Sequence, residues 1–255
     1  MKHRVDNSAH DYAQAERARQ LALWASTHTE EIERYARETN TPFDRGDTFS
    51  RVSRVLYRCG KWSASQEEAS HHEAGHTIAY QAFGWGMDVV EISSSRKLGA
   101  GWGGRAHARN DPFGDPCCTP SFRDYMEDAA ATFAGPIAEA LFGGGDVRAH
   151  VSELVFAQMR IQQGVKLHAS EGTPKVMAQS LRHSAKLVEI NEAPLREIAQ
   201  ALLKRRRIEG WSRSVKSILA RVKNDCRGHK LSDRGERLCC EIEAVLREFW
   251  RGDVH

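Results

Sequence analysis

The residues best suited to chemistry stand in one run, His71-His72-Glu73-Ala74-Gly75-His76. His72 and His76 are one helical turn apart, so a helix would put both imidazoles on one face, within reach of a single zinc ion through bonds of about 2.0–2.1 Å. Glu73 directly follows the first histidine. From there its carboxylate can reach the coordination position where a catalytic zinc holds water. Zinc lowers the pKa of that water, and the glutamate takes its proton as it attacks a carbonyl. Ala74 and Gly75 are small enough to let another element pack closely beside the metal. His71 is out of register with the pair and reads as a polar helix residue. The pattern also arises by chance in unrelated chains, so its helical context matters.

A catalytic zinc needs a third protein ligand. Spacing leaves Asp88, Asp111, Asp115, Glu139, Asp146, His150 and the neighbourhood of Glu192 as candidates, and periodicity does not choose among them. A second metal cluster of Cys226, His229, Cys239 and Cys240 matches no common ligand spacing.

Several elements must position these groups. Ser65-Gln66-Glu67-Glu68 is a capping box, which predicts a helix from there to about Phe83, ended at Gly84. Val89 to Ser93 reads as a strand and as the candidate sheet edge for a substrate chain, with Trp102 and His107 downstream of it. The run Leu98 to Gly104 is too glycine-rich for a helix, and Asn110 to Pro120 reads as a loop. Ser121 to Phe142 is helical in pattern with a kink expected at Gly135-Pro136. Further helices are expected over about 147–164, 174–206 (with Pro194 as a splitting point) and 234–250. Residues 11–39 read as amphipathic helix, 40–47 as linker, and 52–57 as a short helix or strand.

These residues resemble, in order, the peptidase domain of FtsH-type AAA zinc proteases. His72-Glu73-Ala74-Gly75-His76 is similar to that family's metal motif. Val90-Glu91-Ile92-Ser93 with Leu98-Gly99 resembles its next strand, and Phe133 to Gly143 its Gly-Gly-Arg-x-Ala-Glu helix. Gly145-Asp146-Val147, then Ser152-Glu153-Leu154-Val155, resembles its Asn-Asp-Ile segment and following helix, and Asn191 to Gly210 its closing helices. The resemblance covers about residues 62–214. It implies a zinc metalloendopeptidase with His72, His76 and Asp146 as metal ligands, Glu73 as general base, and Glu139 as a supporting residue. His150 is the fallback third ligand. The chain departs from the family in having Pro136 where the arginine stands, a shorter turn before Asp146, and no G-x-x-x-x-G-K-[ST] phosphate loop. The implied substrate is therefore a flexible polypeptide, or one delivered by an ATPase or adaptor in trans, and a homo-oligomer is expected by resemblance alone.

The expected fold is α+β and mainly helical: a zincin-like peptidase core over 60–214, a helical extension over 1–59 and a basic helical extension over 215–255. The 255 residues, 40% hydrophobic and 28% charged, suit a soluble globular protein, and no apolar run is long enough to span a membrane. Met1-Lys2-His3-Arg4 leads into a polar stretch rather than a signal peptide, which places the protein in the cytoplasm with free thiols on its six cysteines. A net charge of +3 does not argue for nucleic acid. The basic residues from Lys204 to Lys230 leave a second reading open, a metal-stabilised regulatory protein that meets nucleic acid or an acidic partner through its C-terminal third. A third is a zinc hydrolase acting on a non-peptide amide.

Overall fold

A computed structural model describes residues 65–95, 101–114, 119–168 and 172–249. The elements expected over 11–39, 40–47 and 52–57, and Cys59, Cys117 and Cys118, lie outside them. The described chain is α+β and mainly helical: seven α-helices and one small antiparallel sheet.

Helix α1, Gln66–Ala82, begins where the capping box requires. Ser65 Oγ accepts from the Glu68 amide at 3.1 Å, and the Glu68 carboxylate accepts from the Ser65 amide. These two bonds satisfy donors that the first turn would otherwise leave orphaned. From Ala69 to Gly75 every residue of α1 is buried, so the helix has no wet face there. It runs through the middle of the molecule and carries His71, His72 and Glu73 into the interior.

The sheet has the order β2-β1-β3, with β1 at Met87–Ser95, β2 at Gly101–Ala108 and β3 at Arg207–Glu209. Val90 pairs with Ala106 on one side and Ile208 on the other. Central placement explains why Val89, Val90 and Ile92 are all buried, since a strand with neighbours on both sides has little polar edge to show. It also corrects the expectation of an edge at Val89–Ser93. The edge that lies against α1 is β2, in the glycine-rich run, and β3 is the other.

Helix α2, Phe122–Ala138, starts at a second capping box of Ser121 and Asp124. Pro136 sits inside α2 without breaking it. The irregularity comes later, as a wide π-helical turn at Glu139–Gly143 closed by Gly144 at φ +83°. A 3-10 turn, Val147–His150, leads into α3, Val151–His168.

The long helix expected over 174–206 is two helices, α4 at Thr173–Ile190 and α5 at Glu192–Arg205. The break is at Asn191, three residues before Pro194. The Asn191 amide nitrogen donates to the carbonyls of Leu187 and Lys223, and its oxygen accepts from the Lys223 amide. Pro194 then falls in the first turn of α5, where a missing N–H costs nothing. Helices α6, Arg213–Leu219, and α7, Asp233–Phe249, complete the chain. Leu238, Cys239, Ile242, Val245 and Leu246 of α7 belong to the same apolar core as α1 and α2. Helix α7 thus packs on the same core as α1 and α2.

Candidate metal centre

Two glycines let α1 and α2 approach closely enough to form the centre. A Cβ at Gly75 would collide with the backbone of Ala134, and one at Gly135 would collide with both imidazoles, 2.8 Å from His72 Nε2. The room that Gly75 was expected to leave is taken by α2.

Each of the two histidines is oriented by its Nδ1. His76 Nδ1 lies 2.8 Å from the carbonyl oxygen of Ala131. A carbonyl only accepts, so Nδ1 carries the proton and Nε2 keeps its lone pair. His72 Nδ1 donates in the same way to Glu139 Oε2 at 2.9 Å. The Nε2 atoms then stand 3.0 Å apart. A carboxylate faces them: Glu153 Oε2, from the first turn of α3, lies 3.2 Å from His72 Nε2 and 3.7 Å from His76 Nε2. That oxygen is buried and has no well-directed hydrogen-bond donor.

His150 completes the surroundings. It is buried, its ring lies 4.5 Å from that of His72, and its Nε2 is 2.9 Å from Glu139 Oε2. His72, His150 and Glu153 offer ligand atoms that lie within 4.8 Å of one another, so His150 stands beside the histidine pair and the carboxylate as a further group that could meet a metal ion.

The structure places Asp146, the third ligand expected by resemblance, away from the histidines. Asp146 is exposed, and its Oδ1 accepts from the Arg148 amide at 2.9 Å, capping the turn. Glu153 occupies the position beside the histidines. Of the other candidates, Glu139 is adjacent through His72 and through His150. Asp88, Asp111 and Glu192 do not join the group, and Asp115 lies outside the described residues. His71 is buried but satisfied within its own helix, its Nδ1 donating to the Glu67 carbonyl at 2.9 Å.

Glu73 points between α1 and β2. It is 5% exposed, and its Oε2 has no hydrogen-bond partner. The wall beside it is Gly104, where a Cβ would stand 2.5 Å from Glu73 Cγ. Burial pushes the Glu73 carboxyl up to about 8, with the charges of Glu153 and Glu139 adding to the rise and that of His72 opposing it. Burial likewise drives His76 down to about 4, helped by the charge of His72. For His72 burial works downward, but the nearby charge of Glu153 and the bond to Glu139 outweigh it, and the ring ends well above its ordinary value. Glu139 and Glu153 go the opposite way, since the surrounding histidines overcome burial and hold both below the usual carboxylate range. Two carboxylates thus flank His72 and favour positive charge at this position, which a metal cation would also supply.

The remaining candidates do not converge. His229 Nε2 pairs with Glu189 at 3.0 Å, while Cys226 lies 3.5 Å from His183. Cys226, Cys239 and Cys240 are free thiols, the first two buried. In the basic region, Arg207 pairs with Glu91, Arg221 with Glu197 and Arg227 with Asp225, so much of its charge is answered locally. Trp102 is half-buried with the Arg206 guanidinium 5.2 Å over its ring, and His107 is buried. No described helix is long and apolar enough to cross a membrane.

No protein-family model matches this sequence, and no curated protein matches it either.

Proposed function

We propose that this protein is a zinc-dependent metalloendopeptidase in which His72, His76 and Glu153 hold the metal and Glu73 is the general base. One observation carries the reading. Three buried electron-pair donors, the two imidazole Nε2 atoms and Glu153 Oε2, stand 3.0, 3.2 and 3.7 Å apart. Ligand atoms at the corners of a tetrahedron with bonds of about 2.0–2.1 Å are about 3.4 Å apart, so these donors fit one zinc ion. A carboxylate oxygen buried without a directed donor is costly unless a cation completes it. Two histidines with one carboxylate also form a donor set of the catalytic type, which keeps a position open.

Bound there, zinc would supply Lewis acidity toward water and a substrate carbonyl. Glu73 would take the proton from the attacking water and pass it to the leaving amine. A carboxyl raised toward neutrality suits that exchange, because it can hold the proton between the two transfers. Glu139 and the Ala131 carbonyl fix the histidine tautomers.

The same arrangement supports a polypeptide substrate. Among the described strands β2 is an edge, and it passes directly beside Glu73 at Gly104. An extended chain added to that edge would lie next to the reactive groups, held by backbone hydrogen bonds that tolerate many sequences. We read the helix-and-sheet core as zincin-like on this basis. With no phosphate-cradling loop in the sequence, the substrates best suited are flexible chains or chains delivered by an ATPase or adaptor.

The test pairs metal content with cleavage. Wild type and Glu73→Gln should each carry about one zinc per chain, and only wild type should cut casein. Carefully purified protein without stoichiometric metal, or cleavage undiminished in Glu73→Gln, would sink the reading.

A further inference from the structure

Glu139 is a buried carboxylate whose Oε2 is approached by two imidazoles. Oε2 accepts from His72 Nδ1 at 2.9 Å, and His150 Nε2 lies 2.9 Å from the same oxygen in a close polar contact without a directed hydrogen bond. Gly145 lies close to the carboxylate, and an added Cβ there would stand 2.7 Å from the carboxyl carbon. The groups at Oε2 are therefore the ones placed to orient the carboxylate. A buried anion of this kind needs polar partners around it, and losing one leaves it freer to turn.

We propose that His150 is a positioning residue of the metal centre: its imidazole holds Glu139 in place, and Glu139 in turn fixes the His72 ring so that Nε2 faces Glu153. This rests on the metal reading above. The chain path makes the coupling direct. His150 ends the 3-10 turn that runs straight into α3, and Glu153 lies about one helical turn further on. One short segment thus brings a carboxylate to the Nε2 side of His72 and an imidazole to the group on its Nδ1 side. The ring of His150 also packs against that of His72, tilted by 33°.

Gln is the conservative replacement, because its amide nitrogen can reach the place of an imidazole Nε2. Leu keeps apolar bulk without a donor. His150→Leu should weaken zinc binding by roughly 10- to 100-fold, the range found when a partner of a ligating histidine is lost, and His150→Gln should restore most of it. The visible spectrum of the cobalt-substituted protein should be the same for wild type and His150→Gln. In protein stripped of metal, the downfield Nδ1 proton of His72 should be seen by NMR in wild type and His150→Gln but exchange away in His150→Leu.

Several results would overturn the proposal. Wild-type zinc affinity in His150→Leu with its His72 proton retained would show that Glu139 needs no second imidazole. A His150→Gln variant as impaired as His150→Leu would remove the donor argument. A cobalt spectrum that changes in His150→Gln would make His150 a ligand instead. If wild type bound no zinc, the metal reading would fail, and the His72 proton alone would still decide whether His150 organises this site. Casein cleavage enters none of these outcomes.

Discussion

Glu153 Oε2, on α3, stands 3.2 Å from His72 Nε2, on α1. Asp146, the acid expected there, lies about two helical turns earlier in the chain and caps its own turn through the Arg148 amide. The two acids therefore make opposite predictions. Glu153→Gln should weaken zinc binding beyond the roughly 100-fold that loss of a supporting partner brings. Asp146→Asn keeps a capping oxygen and should leave the affinity unchanged. Competition with a chromophoric chelator measures both, and equal losses in the two variants would return Asp146 to the ligand set.

Glu73→Gln should separate binding from chemistry. The substitution removes a proton acceptor without touching the groups that orient His72 and His76, so zinc content should hold. Cleavage should fall by about 10²- to 10⁴-fold, the usual contribution of a general base. Single-turnover kinetics with an internally quenched peptide, at matched metal loading, would measure it. A loss confined to KM would assign Glu73 to substrate binding instead.

The same residue predicts a pH dependence of stability in protein stripped of metal. Burial raises the folded-state carboxyl from 4.5 to about 8. A carboxyl raised by folding contributes its stability fully below the unfolded value and loses it as the pH climbs through the folded one. Wild type should therefore lose stability relative to Glu73→Gln between about pH 4.5 and pH 8, with the gap levelling above that. A shift of this size corresponds to a few kcal/mol at most. Urea denaturation of both stripped proteins across that range would show it. A constant gap would mean that Glu73 is not buried as described.

Much of this centre was legible in the sequence because its parts are local. The capping box, the His72–His76 spacing and the adjacent Glu73 all lie within one helix, where period alone dictates geometry. The third acid was not legible in the same way. Asp146-Val147 and Glu153-Leu154 each offer an acid followed by an aliphatic residue. Which one reaches the histidines depends on how the chain leaves α2, through the π-helical turn at Glu139–Gly143 and the 3-10 turn that ends at His150. The pairing of Glu139 with His72 spans 67 positions, and no periodicity reports it. The edge strand β2 was hidden for another reason. Glycine weakens strand propensity, and here Gly104 serves the close approach of backbone to Glu73, a tertiary demand that overrides the local signal.

The seam between α2 and α3 offers a last prediction, about stability. Arg160 is fully buried and donates through Nε to Asp128 Oδ2 at 2.6 Å, with the Phe113 ring 4.1 Å beneath its guanidinium. Asp128 and Gly135 lie about two turns apart on α2, as Arg160 and Glu153 do on α3, so one antiparallel pair of helices carries the ion pair at one end and the metal centre at the other. Asp128→Ala would take the carboxylate from a buried guanidinium and should cost about 3–5 kcal/mol. Exchanging both partners for apolar residues, as in Asp128→Leu with Arg160→Met, removes the buried charge and should recover much of that loss. Thermal and urea unfolding of the three variants would reveal the non-additivity. Zinc affinity in the double variant should stay close to wild type where the fold is retained, because the residues that touch the metal are unchanged. A double variant no more stable than Asp128→Ala would mean that the pair's hydrogen-bond geometry, and not merely its charge balance, holds α3 in register with α2.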